Sequence, residues 1–242
     1  MTITELRDKT SKLKIEKQSF INDTYMWVQI ARDSIRKLPN SNFQFATPKA
    51  QKPQELRLVT RRDPERLKNR IVDKDIFNSA FVIMVASVED YFSKIIEYVL
   101  KTDNRRLKCT IPDVKMINTI SVIDLIDNSK DDLIDYIIAQ RLNDLFYASP
   151  RKQLEYINKA LGIDIEKYVW ETWVEIKARR DIIINNNGIV NEVYLGKPKN
   201  FTTYSLGQYA LVDDIYFKNT VAQLKHMIGG IDREIRKIYT EE

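Results

Sequence analysis

Apolar side chains between Asp73 and Thr102 recur at steps of four and three residues. The positions that follow this spacing are Phe77, Phe81, Met84, Val88, Phe92, Ile95 and Val99. Such steps place side chains on one face of an α-helix. Both flanks of this face are also apolar, so we predict a helix at the centre of a bundle. Glu89 lies in these surroundings, and we expect an arginine from a neighbouring helix to pair with it.

The rest of the chain contains few residues that break helices. It has six glycines and seven prolines in 242 residues, and its apolar residues recur at helical spacing. We therefore predict an all-α bundle of about six to eight helices. The further helices are predicted at about 4–37, 112–127, 131–147, 150–161, 165–188 and 213–239. The first of them has one predicted apolar stripe, formed by Leu6, Leu13, Phe20 and Trp27.

Residues 1–72 are predicted to form an N-terminal helix and a basic arm, packed on the domain of residues 73–242. Residues 1–70 hold 16 Lys or Arg residues against 8 Asp or Glu residues. Four prolines break up the segment 39–64, which we interpret as a mobile arm or an insertion, with a short helix at 55–60 as the alternative. Arg61 and Arg62 are its candidate contacts to a phosphate backbone. A solvated surface segment explains the same charge.

Cysteine and histidine usage excludes two classes of site. With Cys109 and His226 as single examples of their types, the chain by itself builds neither a disulfide nor a His/Cys metal centre. We expect a reducing, cytoplasmic location, no cofactor and no resident metal. The longest apolar run, at 81–86, is far short of a membrane span, and the first residues lack the apolar core of a signal peptide. His226 is expected at the surface.

The segment 171–194 carries the strongest functional pattern. It reads as an amphipathic helix running into a polar turn, with Arg180 and Asp181 near its end and Asn185 in the turn region. This pattern resembles the signature of the HEPN superfamily, in which an arginine and a polar residue precede a histidine. The stretches 86–92 and 146–155 are similar to the RiboL-PSP-type branch. The remaining positions that match the downstream signature are Asn186, Gly188 and Tyr194.

The resemblance implies a metal-independent endoribonuclease of toxin or phage-defence type. Two protomers would pair through their motif helices, with Arg180 as phosphate binder, position 185 as the proton-transfer site and Asp181 beside them. The expected partners are RNA of the tRNA or ribosomal class, a second copy of the chain, and an antitoxin or other defence-system protein. The candidate RNA contacts near the motif are Lys177, Arg179, Asn186 and Tyr194. Trp170 and Trp173 are interpreted as core residues.

Asn185 departs from the family pattern because it stands where the histidine is expected. A carboxamide has no useful pKa and cannot act as a general acid or base. The resemblance therefore leaves three interpretations: an engineered inactive form of a nuclease, a naturally degenerate member that still dimerises and binds RNA, or a weak enzyme that uses Arg180 and water. A non-catalytic module that binds RNA, a nucleotide or a protein, and a purely structural adaptor, are the competing functions. On a continuous helix, positions 180 and 185 lie about 140° apart, so the chain leaves the helix before position 185 or the two groups meet across a dimer axis.

Overall fold

The computed structural model describes residues 1–39, 43–61, 63–112, 114, 128–197 and 203–240. Within these ranges the predicted all-α bundle is confirmed, and a small two-stranded sheet accompanies it. The helices are α1 Ile3–Arg36, α2 Pro64–Arg70, α3 Ile76–Thr102, α4 Lys130–Tyr147, α5 Pro150–Leu161, α6 Lys167–Asn186, α7 Glu192–Gly196 and α8 Asp214–Ile238. The predicted helix at 112–127 falls almost entirely outside the described residues.

The helix α3 forms the centre of the bundle, as its spacing predicts. All seven residues of the apolar face are buried, and α1, α4, α5, α6 and α8 pack around the helix. The ring of Phe92 lies 5.8 Å from that of Trp170 and 5.5 Å from that of Trp173, measured between centroids. Both tryptophans are buried, so their interpretation as core residues is confirmed.

The apolar stripe predicted for α1 is only half correct. Leu6 and Leu13 are buried, but Phe20 is 38% and Trp27 48% exposed. The core positions that continue the stripe are Ile21 and Val28. A strict seven-residue interval drifts by about 20° per repeat on a straight helix. The buried face of α1 instead follows the true helical period. By the third seven-residue repeat, the core position is therefore Ile21 rather than Phe20.

The proline-containing arm is a β-hairpin, so the alternative of a short helix at 55–60 is wrong. The strands β1, Phe43–Lys49, and β2, Lys52–Arg61, pair antiparallel with a two-residue turn between them. Alternating apolar residues in β2 favour a strand. Each strand contains one proline, which is tolerated because an isolated ribbon has free edges. Among the described elements, the two strands pack extensively only against each other.

Proline, glycine and aspartate mark helix ends elsewhere in the chain. Pro150 begins α5, and Gly162, with φ of 72°, ends it. Asp213 caps α8 by accepting a hydrogen bond from the Tyr216 amide at 2.7 Å. The motif helix α6 begins at Lys167, close to the predicted start. No helix in the described ranges is long and apolar enough to cross a membrane.

Candidate functional site

The motif helix α6 has a buried side and an outward side. Its outward residues are Lys177, Arg180, Asp181, Ile184 and Asn185, which we call the motif sector. At about 100° per residue, these five positions fall within about 140° of the helix circumference. Ile184 and Asn185 are exposed, whereas the first three are half-buried against their neighbours. Earlier along α6, the same sector carries Trp170, Trp173 and Val174, which are buried, so this face turns outward only in the C-terminal half of the helix.

An ion-pair network crosses from α3 to the motif sector. The Glu89 carboxylate receives the Arg180 guanidinium on one oxygen and the Lys177 ammonium, at 3.1 Å, on the other. Arg180 also lies 3.3 Å from the Asp181 carboxylate, which Lys197 contacts at 3.0 Å. The expected arginine partner of Glu89 is therefore Arg180. We call these five residues the motif cluster; its three cations and two carboxylates leave one surplus positive charge.

Asn185 is exposed, and the helix continues past it to Asn186. The prediction that the chain leaves the helix before position 185 is therefore wrong. The turn begins only at Asn187, with φ of 52°, and at Gly188, with φ of 81°. Arg180 and Asn185 are about 7.5 Å apart along the helix axis and point about 140° apart. A single protomer does not bring the two side chains together.

Two candidate RNA contacts, Arg179 and Tyr194, lie in the core. The Arg179 guanidinium binds the Glu175 carboxylate at 2.7 Å and donates to the Leu211 carbonyl at 2.9 Å. Its carbon lies 3.7 Å from the ring centroid of Tyr216. The hydroxyls of Tyr194 and Tyr216 donate to Glu175 at 2.8 and 2.6 Å. Through these contacts both residues stabilise the fold, and neither is exposed enough to contact RNA.

Burial and neighbouring charges shift the pKa values of Tyr216 and Arg179. Desolvation and the nearby Glu175 carboxylate raise the pKa of Tyr216 well above its ordinary value. Desolvation works against the charged form of Arg179, but Tyr216 and Glu175 overcome it, so the pKa of Arg179 is raised. Sequence reasoning missed Glu175 and Tyr216. The available signal was a Glu and an Arg four residues apart on the side of α6 that carries Ile182.

The other predicted positions are at the surface or in turns. The Asn186 amide donates to the Ile189 carbonyl at 2.7 Å and so holds the turn after α6. His226 is exposed on α8, as expected. Arg61 lies at the end of β2, and Arg62 lies outside the described residues.

The segment that follows the hairpin brings basic residues to the C-terminal end of α6. The Lys68 ammonium donates to the Leu38 carbonyl and ties α2 to the base of the hairpin. Arg70 and Lys74 line a cavity of about 340 Å³ together with Ile183 and Asn187 of the motif helix region. Arg70 and Lys74 therefore place positive charge beside the turn after α6, close in the chain to Asn185.

A groove of about 1110 Å³ runs beside the motif helix, and sequence reasoning did not predict it. It lies between α6 and the junction of α4 with α5, and we call it the α4–α6 groove. Its apolar lining includes Phe146, Leu154, Trp170, Trp173 and Val174. Its basic rim consists of Arg151, Lys167, Lys177 and Lys197.

A scan against protein-family models and searches of curated proteins and solved structures find no match to this chain. Among the described residues, no group of three or more His, Cys, Asp or Glu side chains is arranged to hold a metal ion.

Proposed function

We propose that this protein binds RNA as a homodimer and that its motif sector is a HEPN-like endoribonuclease centre attenuated at Asn185. The observation that carries the proposal is the sector of α6 that holds Arg180, Asp181 and Asn185, with Arg180 and Asn185 at its two edges, about 140° apart. The lineage would be that of metal-independent nucleases with toxin or antiviral roles.

The chemistry of metal-independent RNA cleavage gives each position a role. The reaction needs a base for the ribose 2′-hydroxyl, a cation for the charge on phosphorus-bound oxygens, and an acid for the leaving oxygen. Arg180 offers planar donors that fit a phosphate. Its Nε atom is buried and has no hydrogen-bond partner among the described residues. An imidazole at position 185 would supply both proton transfers, whereas the carboxamide of Asn185 supplies neither.

A twofold axis through the end of α6 would complete the centre. Arg180 and Asn185 point in different directions within one protomer. Across such an axis, Arg180 of one protomer would lie beside position 185 of the second copy, and the reverse pair would form in the same way. Exposed apolar residues surround this end of the helix: Ile184 is 53%, Ile189 42% and Val193 65% exposed. Apolar surface of this kind is typical of interaction sites.

The basic hairpin supports RNA as the ligand. The ribbon 43–61 carries Lys49, Lys52, Arg57 and Arg61 against a single acid, Glu55. In the segment that follows the hairpin, Arg70 and Lys74 line a cavity with Asn187, two residues after Asn185. Cationic side chains on a projecting arm attract phosphates without reading base sequence. We propose RNA of the tRNA or ribosomal class as the substrate for testing.

One observation favours a non-catalytic RNA-binding module as the second candidate. Arg180 is held by the carboxylates of Glu89 and Asp181, so much of its charge is already balanced. In that function the motif sector positions RNA or a partner protein without cleaving it. The two candidates differ in what an added imidazole does.

The test compares four proteins on tRNA and ribosomal RNA in EDTA: the unaltered chain, Asn185→His, Asn185→His with Arg180→Ala, and Asn187→His. The last variant adds the same imidazole two residues away, beyond the end of α6. We expect cleavage with 2′,3′-cyclic phosphate ends from Asn185→His alone. Binding by all four proteins without cleavage would favour the non-catalytic module, and absence of RNA binding would contradict both candidates.

A further inference from the structure

We infer that the α4–α6 groove binds a short segment of a partner protein that presents an acidic side chain between aliphatic ones. The groove measures about 1110 Å³, slightly above the roughly 300–1,000 Å³ typical of small-ligand pockets. It therefore has room for several side chains rather than one. This inference concerns a surface outside the Arg180–Asn185 pair and does not depend on RNA cleavage.

The floor of the groove fits aliphatic side chains better than nucleobases. Trp170 and Trp173 are each only 3% exposed because Phe92 packs against both rings. Sequence-tolerant binding of bases requires exposed aromatic faces for stacking, and these two rings offer only a small edge. Tyr147 also lines the groove and is 86% exposed, but one exposed ring does not provide stacking positions for successive bases. The apolar lining instead favours burial of branched aliphatic groups.

The rim supplies positive charge that the protein itself leaves unmatched at one end. Lys177 and Lys197 are already paired with Glu89 and Asp181. Lys167 lies 3.7 Å from Glu171, and its side chain is 85% exposed. Arg151 is exposed and forms no ion pair with another described residue. A carboxylate from a ligand would therefore meet Arg151 and Lys167.

Arg151, which is unpaired among the described residues, and Lys167, which Glu171 partly neutralises, lie at the same end of the groove. The Trp170 indole donates to the Pro150 carbonyl at 3.0 Å, which fixes the start of α5 beside the first turns of α6. Arg151 follows Pro150, and Lys167 lies one turn before Trp170. The positive end of the α5 dipole adds to their field. Charge and apolar lining together thus define an occupant with an acid at this end and aliphatic side chains along the floor.

The experiment is a selection from a phage-displayed library of random twelve-residue peptides on the full chain. Peptides that also bind Ala148→Trp are removed, because that variant fills the groove at a position after the end of α4. Affinities of the enriched peptides are then measured by fluorescence anisotropy on Arg151→Glu. The matched control is Arg233→Glu, which makes the same charge change at an exposed site on α8.

We expect enriched peptides with an acidic residue between aliphatic ones, at least tenfold weaker binding to Arg151→Glu, and unchanged binding to Arg233→Glu. A Lys in place of the peptide acid should restore affinity for Arg151→Glu and lose it for the unaltered chain. The inference is overturned if no peptide depends on the groove, if the enriched peptides are basic or neutral, or if a single-stranded oligonucleotide occupies the groove instead. Thermal melts followed by circular dichroism check that Arg151→Glu and Ala148→Trp remain folded.

Discussion

Glu175 and Arg179 show how single residues fix the motif helix in place. The pair is almost fully buried, with side-chain exposures of 8% and 5%. Arg179 also reaches the Leu211 carbonyl, and Tyr216 of α8 donates to Glu175. These hydrogen bonds satisfy charges that would otherwise be costly to bury. The cluster therefore orients α6, which in turn sets the direction of Arg180 and Asn185.

Removing one member of this pair should be strongly destabilising. Glu175→Ala leaves the Arg179 charge buried without its carboxylate, which costs about 3–5 kcal/mol of the free energy of unfolding. Urea unfolding monitored by tryptophan fluorescence measures this loss. The control is Glu171→Ala one turn away, where a half-exposed ion pair predicts a loss below about 1 kcal/mol. Equal effects of the two substitutions would show that the buried pair does not hold α6.

At the scale of elements, two glycines have opposite roles. Gly188 ends the turn after α6 with φ of 81°, and a Cβ there would lie 2.5 Å from a ring carbon of Tyr209. Gly230 is inside α8, and a Cβ there would meet no atom within 4 Å. Gly188 is required because its φ is positive, whereas Gly230 lowers helix stability and allows no close packing contact in exchange.

The two glycines give a pair of predictions with opposite sign. Gly188→Ala should lower the free energy of unfolding by about 1–3 kcal/mol, because of the strained φ and the clash with Tyr209. Gly230→Ala should raise it by about 0.5–1 kcal/mol, as expected for glycine in a helix interior. Chemical denaturation of both variants under identical conditions checks the signs. A stabilising Gly188→Ala would contradict the described turn.

The hairpin is the element that sequence reasoning missed. Prolines and charges in 39–64 indicated irregular structure, yet two strands pair there because an isolated ribbon tolerates proline at its free edges. The helices α3, α5 and α8 were predictable from their apolar spacing and capping residues. Phe20 and Trp27 were misplaced because a seven-residue interval resembles, but does not equal, the helical period.

Removal of the hairpin should affect RNA binding more than stability. Replacing residues 43–61 by a short Gly-Ser linker removes few core contacts, so the free energy of unfolding should stay within about 0.5 kcal/mol. RNA affinity should fall, and its dependence on salt should become weaker, because cationic contacts to phosphates are lost. Filter binding at several salt concentrations measures both effects. Unchanged affinity and salt dependence would show that the hairpin is not part of the RNA-binding surface.

At the scale of the whole molecule, ion pairs between distant segments make stability depend on pH. Asp214 at the start of α8 binds Arg32 of α1 at 3.0 Å. Hydrogen bonding from Lys218 and the charge of Arg32 lower the pKa of Asp214. Arg105 likewise lowers the pKa of Asp103. A carboxyl whose pKa is lowered by folding stabilises the protein above its unfolded pKa, and this stabilisation is lost as the pH falls through the folded pKa.

The free energy of unfolding should therefore decline on acidification. The decline begins near the ordinary aspartate pKa of about 4 and continues below it. Asp214→Asn should be less stable at neutral pH and should show a shallower decline. Urea unfolding at neutral pH and at several acidic values measures both slopes. Parallel curves for the two proteins would show that Asp214 does not contribute to the acid response.

The motif itself was predictable only in part. Arg180, Asp181 and Glu89 could be singled out from residue types and helical order, and the structure brings them together. The burial of Arg179 and Tyr194 could not be predicted, because it depends on contacts with Tyr216 and Leu211, which lie far along the chain. The α4–α6 groove likewise depends on how two helix ends meet α6, which no local pattern reports.

We propose that Arg180 of one protomer and position 185 of its partner form one cleavage centre. The most direct test mixes the unaltered chain with a chain that carries both Asn185→His and Arg180→Ala, co-expressed with different tags and purified as the mixed dimer. We predict that the mixed dimer cleaves RNA in EDTA, whereas neither homodimer does. An inactive mixed dimer beside an active Asn185→His homodimer would contradict the composite centre and place both groups in one protomer.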